Sequence, residues 1–297
     1  MAEEYAVNGR LWDTGEDAAA GTLYMVAVPI GNLGDLSPRA LTILSKVDLI
    51  ACEEVQATKR LLSSQNISGR LISYRESGRD GAGTRIVQEL AAGRSVAYVS
   101  GAGTPGVSDP GRDLAERCHQ RKLRVVPVPG PSALAAAVSC AGLPCRRFIF
   151  EGFLPRNDGE RRRYLESLAR EERTMVFYEA PHRLADAVAD MLAVWGNRRV
   201  FLGRELTKKF EQCWLTELSS LLEHLRQTEA RGECVLVTAG YEKAEEETEI
   251  DLEARCRDDL AFLADLGLSA KVSAEVLGRF RDLPRNTAKR LALNYFK

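Results

Sequence analysis

Three glycine- and proline-rich stretches could do chemistry in this 297-residue chain: VPIGNLGD (residues 28–35), SGAGTPGVSDPG (100–111) and VPGPSA (128–133). Glycine lets the backbone lie against a ligand and leaves N–H groups facing it. Each stretch follows an apolar, β-branched run. Each is therefore expected at the carboxyl end of a strand, where parallel α/β sheets hold their ligands. One such loop is an ordinary turn, whereas three on one lobe point to a built site. They are not read as a dinucleotide fingerprint or a P-loop. A ligand with an adenosine-sized body, held by backbone amides and carbonyls, fits better.

A regular alternation of elements must position these loops. Strands are expected at 22–29, 47–51, 71–74, 95–100 and 124–128, with helices at 38–46, 54–63, 85–92 and 113–120. Ser37 reads as an N-cap and Pro38 as the first helical residue. The β-α alternation predicts a mostly parallel sheet covered on both faces. Residues 126–133 read as a stiff interdomain linker that opens a small-residue helix at 132–139. A second α/β pattern follows, with strands at 148–153, 174–178, 200–204 and 234–238 and helices at 159–170, 183–194 and 218–228. An acidic linker begins at Tyr241. Three helices are then expected over 251–297, broken at Gly267 and Pro284. The organisation is a disordered tail at 1–20, an N-terminal α/β lobe at 21–130, a C-terminal α/β lobe at 131–243, and a helical module at 250–297.

Composition bounds the function. At 45% hydrophobic and 28% charged, with formal net charge −1, nothing global announces nucleic acid. An RNA site must then be a local basic patch. The seven cysteines form no CxxC pair and read as small core residues in a reducing compartment. Three scattered histidines give no basis for a metal site. Prolines interrupt the apolar stretch at 125–145, which argues against a membrane span. The first residues carry no apolar leader, so a cytoplasmic protein is expected.

The stretches VPIGNLGDLSPRAL, SGAGTPGVSDPG, VVPVPGPSA, FEGFLPR, VFYEAPHRL and RELTKKFE resemble, in order, the motifs of the ribosomal RNA small-subunit 2′-O-methyltransferase I family. That family lies within the tetrapyrrole methylase (class III) superfamily. The match runs from about residue 21 to 240, and LPRNTAKRLAL resembles the family's C-terminal helical piece. The resemblance implies a two-lobed fold, with a mostly parallel first sheet and a mixed second one. It implies a homodimer, S-adenosylmethionine in the cleft between lobes, and methylation of a cytidine ribose 2′-hydroxyl in small-subunit ribosomal RNA. Together with the three loops it assigns cofactor binding to Pro29, Gly31, Gly101, Ala102, Gly103, Thr104, Val107, Ser132 and Leu154.

The chain departs from the family pattern in clustered places. Gly101 stands where the family's SDAGTPG has Asp. Gln56 and Ala57 replace the Arg and His of CEDTRHT, and Arg75 and Ser77 replace the two histidines of YHEHN. Methyl transfer to a hydroxyl needs in-line approach and a route for the proton. The side chains left for that work are Glu53, Glu54, Arg204 and Lys209 as catalytic candidates, with Glu76, Glu179, His182 and Glu205 behind them. Glu53 and Glu54 could equally cap the following helix. Arg156, Arg161 and Lys208 are expected to hold RNA phosphates, as are Lys271, Arg279, Arg281, Arg285, Lys289 and Arg290 of the tail. A homologue that binds RNA with weakened catalysis, or a methyltransferase with another substrate, stays open at this point.

Overall fold

The computed structural model describes residues 18–228, 230–242, 249–281 and 283–296. Most of the tail expected at 1–20 lies outside them. Residues 18–20 are tied down, with the Ala19 N–H donating to the Tyr24 hydroxyl at 2.8 Å. The chain divides into two compact units, residues 1–241 and 242–297. Both α/β lobes belong to the first.

The N-terminal lobe runs β1 (Thr22–Val26), α1 (Pro38–Lys46), β2 (Leu49–Cys52), α2 (Val55–Ser64), β3 (Leu71–Ser73), α3 (Arg79–Ala91), β4 (Val96–Val99), α4 (Gly111–Gln120) and β5 (Arg124–Val128). The strands form one all-parallel sheet in the order β3-β2-β4-β1-β5. Side chains alternate between its faces. Val26, Ile50, Cys52 and Val99 meet Ala40, Ile43 and Leu44 of α1 on one face. Leu23, Leu49, Val96 and Tyr98 meet Ile86 and Leu90 of α3 and Leu114 of α4 on the other. This double burial is why the strands read as unbroken apolar runs. Ser37 caps α1 as expected, accepting from the Ala40 N–H at 3.1 Å. α3 begins six residues earlier than expected, because Gly81 and Gly83 in RDGAG masked its first turns. Pro127, where the expected strand at 124–128 and the expected linker at 126–133 overlap, lies within β5. Its missing N–H is tolerated because β5 is an edge strand.

The second lobe runs α5 (Ala133–Cys140), β6 (Phe148–Phe153), α6 (Asp158–Ser167), β7 (Thr174–Glu179), α7 (Pro181–Trp195), β8 (Arg199–Arg204), β9 (Gln212–Glu217), α8 (Leu218–Gln227) and β10 (Cys234–Thr238). Its sheet is mixed, in the order β6-β7-β10-β8-β9. β6 and β7 are parallel and the remaining pairs antiparallel. β9 was not foreseen. It is an exposed edge strand, QCWLTE, whose apolar run is only the three residues Cys213 to Leu215. α6, α7 and α8 pack one face through Leu165, Leu184, Met191 and Leu221. α5 packs the other through Ala137, together with Ile30 from the N-terminal lobe.

The second unit holds α9 (Glu249–Asp265), α10 (Ala270–Phe280) and α11 (Arg285–Tyr295). The breaks fall at Gly267, with φ +73°, and Pro284, as expected. Cys256, Leu260, Leu277 and Leu291 form its core. Among the described residues no helix is long and apolar enough to cross a membrane. Cys52, Cys118, Cys234 and Cys256 are buried as expected, whereas Cys140 and Cys213 are exposed.

Candidate functional site

β1 and β4 are neighbours, yet the chain leaving β1 runs to β2 and that leaving β4 runs to β5, on opposite sides. Such a seam is where open α/β sheets place a ligand, outside the carboxyl ends of the strands. Here the three loops are laced together. The Val28 N–H donates to the Gly103 carbonyl and the Gly103 N–H to the Val28 carbonyl, each at 3.0 Å. The Thr104 hydroxyl donates to the Pro131 carbonyl at 2.9 Å. Gly103 sits at φ +75°, where an L side chain is strained. A Cβ there would stand 3.2 Å from Ile30 Cγ2 and 3.7 Å from the Pro131 carbonyl oxygen. Ser132 caps α5 and fixes the third loop.

The spacing Gly101-x-Gly103-x-x-Gly106 does match the dinucleotide fingerprint letter by letter, contrary to the expectation for these loops. In the structure α4 begins only at Gly111. The last fingerprint glycine therefore does not open a helix onto a pyrophosphate, as that motif requires. Instead Asp109 folds the loop back on itself. It accepts from the Gly106 N–H at 2.9 Å, the Gly111 N–H at 2.6 Å and the Tyr98 hydroxyl at 3.3 Å. Burial pushes its carboxyl upward, against the pull of those donors.

The laced loops form one wall of a cavity of about 400 Å³, within the range of small-molecule sites. The second lobe supplies the other wall: Phe153, Tyr178, the 179–181 turn, Leu206 and residues 233–235. Four carboxylates line it (Glu53, Asp109, Glu179 and Glu233), and among the described residues its lining includes no Lys or Arg. Glu179 is 1% exposed, and burial pushes its carboxyl upward. One of its oxygens accepts the Ala180 N–H at 2.9 Å. The other is buried without a hydrogen bond, 3.5 Å from the Arg183 guanidinium.

Of the nine residues expected to hold the cofactor, Gly101, Ala102, Gly103, Thr104, Val107 and Ser132 line this cavity, while Pro29, Gly31 and Leu154 do not. Leu154 is buried, and its carbonyl accepts from Arg183. Gly31 serves a different purpose. The Lys208 side chain crosses it so closely that a Cβ would stand 2.2 Å from Lys208 Cγ. Of the four catalytic candidates only Glu53 lines the cavity. Glu54 N-caps α2 by position but makes no capping hydrogen bond. Arg204 is engaged by Gln212 and the Arg231 carbonyl, each at 2.8 Å. Lys209 lies over the ring of exposed Phe210.

The expected phosphate contacts separate in the same way. Arg156 is exposed. Arg161 is 3% exposed and pairs with Asp190 at 2.6 Å inside the second lobe, so it has no cationic face to offer RNA. The Lys208 ammonium lies between Glu205, at 2.8 Å, and Glu233, at 3.1 Å. Phe153, Asp109 and Glu233 were missed by sequence reasoning. Phe153 and Asp109 lie inside stretches already singled out. Glu233 precedes β10 without any motif, and only the fold brings it to the cleft.

Two of the departures from the family pattern meet at Glu53. The Gly101 N–H donates to Glu53 Oε2 at 3.2 Å, and a Cβ at Gly101 would stand 3.5 Å from that same oxygen. Arg75 holds the arrangement from behind, donating to the Glu53 carbonyl at 2.8 Å and pairing with Glu54 at 3.4 Å. A carboxylate therefore stands beside position 101, although position 101 itself carries none.

Residues 22–222 match the tetrapyrrole (corrin/porphyrin) methylases. Over most of its length the chain is similar to proteins named ribosomal RNA small subunit methyltransferase I. It is 41% identical to that of Synechocystis sp., covering 92% of this chain and 98% of the relative. It is 45% identical to that of Pseudomonas aeruginosa, covering 89% and 95%. The chain belongs to this family. The fold agrees. The Thermus thermophilus uroporphyrin-III C-methyltransferase complexed with S-adenyl homocysteine superposes with TM-score 0.56 at 16% identity, covering 73% of this chain and 97% of that one. A cobalt precorrin-4 methyltransferase gives 0.54 at 15%, covering 74% and 95%. The α/β architecture, with one parallel and one mixed sheet, is thus the tetrapyrrole methylase fold, carried here by a member of its ribosomal RNA methyltransferase group.

Proposed function

We propose that this chain transfers a methyl group from S-adenosylmethionine to the ribose 2′-hydroxyl of a cytidine in small-subunit ribosomal RNA. The observation that carries the reading is the lacing of three loops around Gly103 at the mouth of a carboxylate-lined cavity. The site suits the cofactor. Bare backbone at Gly101 to Gly103 allows close approach, and the buried, unbonded oxygen of Glu179 can take a ligand N–H or O–H. Four carboxylates and no lining cation favour a ligand carrying a sulfonium and an ammonium. When bound, S-adenosylmethionine supplies an electrophilic methyl.

The protein's own task is to orient the hydroxyl in line and take its proton. Glu53 is placed for the second part, beside Gly101 on the cavity wall. The Glu53 carboxylate would accept the hydroxyl proton as the oxygen is methylated. The reading of a weakened homologue rests on the loss of Asp, Arg and His at Gly101, Gln56, Ala57, Arg75 and Ser77; Glu53, which the family's CEDTRHT also carries, is the carboxylate that remains beside position 101.

The exposed cations Arg156, Lys271, Arg279, Arg285 and Lys289 hold RNA phosphates as sequence-independent contacts. The enzyme acts in the cytoplasm as a homodimer, which sedimentation of the purified protein tests. The decisive experiment incubates purified protein with labelled S-adenosylmethionine and unmodified small subunits, then maps the methyl group. Label on one cytidine ribose is expected, with Glu53→Gln slower by about 10²–10⁴ in single turnover. No transfer to the subunit sinks the reading.

A further inference from the structure

A second cavity, of about 420 Å³, opens on the far side of the same loop wall. It shares Ser100 and Gly101 with the cofactor cleft and nothing else. One side is the β1 loop, where Leu33 stands 50% exposed at the mouth. The other is the face of α2 that carries Ala57, Arg60, Leu61 and Ser64, at helical spacing. Small residues keep the space open: Ala57 on the helix and Gly101 on the loop.

We propose that this cavity receives the nucleoside to be methylated, turned out of its RNA stack. The inference rests on the methyltransfer reading above. A methyl carbon and its acceptor oxygen must come within about 3–3.5 Å. Two ligands in two cavities can meet only past the edge of the segment both cavities share, Ser100 and Gly101. At Gly101 no side chain stands in the way: a Cβ there would meet Glu53 and Glu54, at 3.5 and 3.8 Å. The lining matches a nucleotide in its chemistry. Leu33 and Leu61 offer apolar faces to a base, and Arg60 offers a cation to its phosphate. The ribose then points at Gly101, where the Glu53 carboxylate accepts the Gly101 N–H at 3.2 Å and stands ready for the hydroxyl proton.

Three variants test this. Leu33→Trp places an indole at the mouth, and titrating cytidine 5′-monophosphate should quench its emission well beyond any change in the parent protein. The added change Ala57→Phe should abolish that quenching. Ala57→Phe alone should keep S-adenosylmethionine affinity within about threefold by calorimetry, yet lower kcat/KM on the small subunit by about 10²-fold, the usual cost of misplacing a reacting group. Absence of quenching at millimolar nucleotide overturns the proposal, as does an Ala57→Phe enzyme that methylates at the parental rate. If the parent neither binds S-adenosylmethionine nor methylates the subunit while Leu33→Trp still reports the nucleotide, the pocket stands and the methyltransfer reading falls.

Discussion

Two regions look equally basic in sequence and behave oppositely in the structure. In the second lobe, Arg161 and Lys208 are spent on the protein itself. Arg161 is buried against Asp190, with Asp158 3.1 Å away at the surface, while Lys208 is held by Glu205 and Glu233. In the helical unit, Lys271, Arg279, Arg285 and Lys289 converge on one groove of about 660 Å³ between α10 and α11, with Glu275 as the one acidic lining residue among the described residues. Even there one arginine is withdrawn, for Arg281 pairs with Asp259 at 2.8 Å. A cation in a sequence is an offer of charge. Whether it reaches a phosphate depends on the carboxylates that the fold brings beside it.

The largest effect should come from breaking the internal pair. Asp190 also holds the exposed Arg162 at 2.7 Å; Asp190→Ala takes the buried partner from Arg161 and leaves it the exposed Asp158, and removing one partner of a buried pair typically costs about 3–5 kcal/mol. Urea denaturation measures it. The double change Arg161→Leu with Asp190→Ala should recover much of the loss, since it leaves no buried charge unmet and the released Arg162 is solvated. RNA affinity at fixed salt should stay unchanged in the double variant. If it falls, Arg161 does reach RNA and the contrast between the two regions fails.

The next effect sharpens the other side. Replacing Lys271, Arg279, Arg285 and Lys289 by Ala should flatten the dependence of log affinity for small-subunit RNA on log salt by about 0.7–0.9 for each phosphate no longer neutralised. Arg281→Ala, made as a control, should leave that slope alone. Equal slopes for parent and quadruple variant would return the groove to an ordinary solvated surface.

What the sequence made legible divides along the same line. The strands of the first sheet were readable because burial on both faces leaves unbroken apolar runs, as in LIAC and VAYV. The three loops were readable because glycine and proline are local signals. Glu53 was readable as a candidate, but its selection over Glu54 was not. That depends on the Gly101 N–H, 48 residues away, turning toward it. Glu233 and the neutralisation of Lys208 are tertiary facts, made when β10 and the β8–β9 turn meet at the cleft. β9 escaped because an exposed edge strand owes its place to hydrogen bonds with β8 rather than to buried side chains.

The smallest predicted effect is also the one that most directly separates the two kinds of cation. Lys208→Met keeps an aliphatic chain across Gly31 while removing the charge between Glu205 and Glu233. The pair is mostly shielded, with side chains 28% and 20% exposed, but it lies at a surface turn, so the loss should be about 1 kcal/mol or less. Its pH dependence has a definite sign. The hydrogen bond from Lys208 holds the Glu205 carboxyl below its ordinary value of 4.5. A lowered folded-state value contributes stability above the unfolded pKa, and that contribution is lost as pH falls through the folded one. The stability gap between parent and Lys208→Met should therefore be full at neutral pH and close progressively below about pH 4.5. Thermal unfolding of both proteins from pH 7 to pH 3 reads it directly. The salt dependence of RNA binding should not move, because a lysine already held by two carboxylates has little charge left to release counterions. A gap that persists unchanged into acid would place the value of Lys208 in its packing on Gly31 instead, and a flattened salt slope would return it to the RNA-binding set.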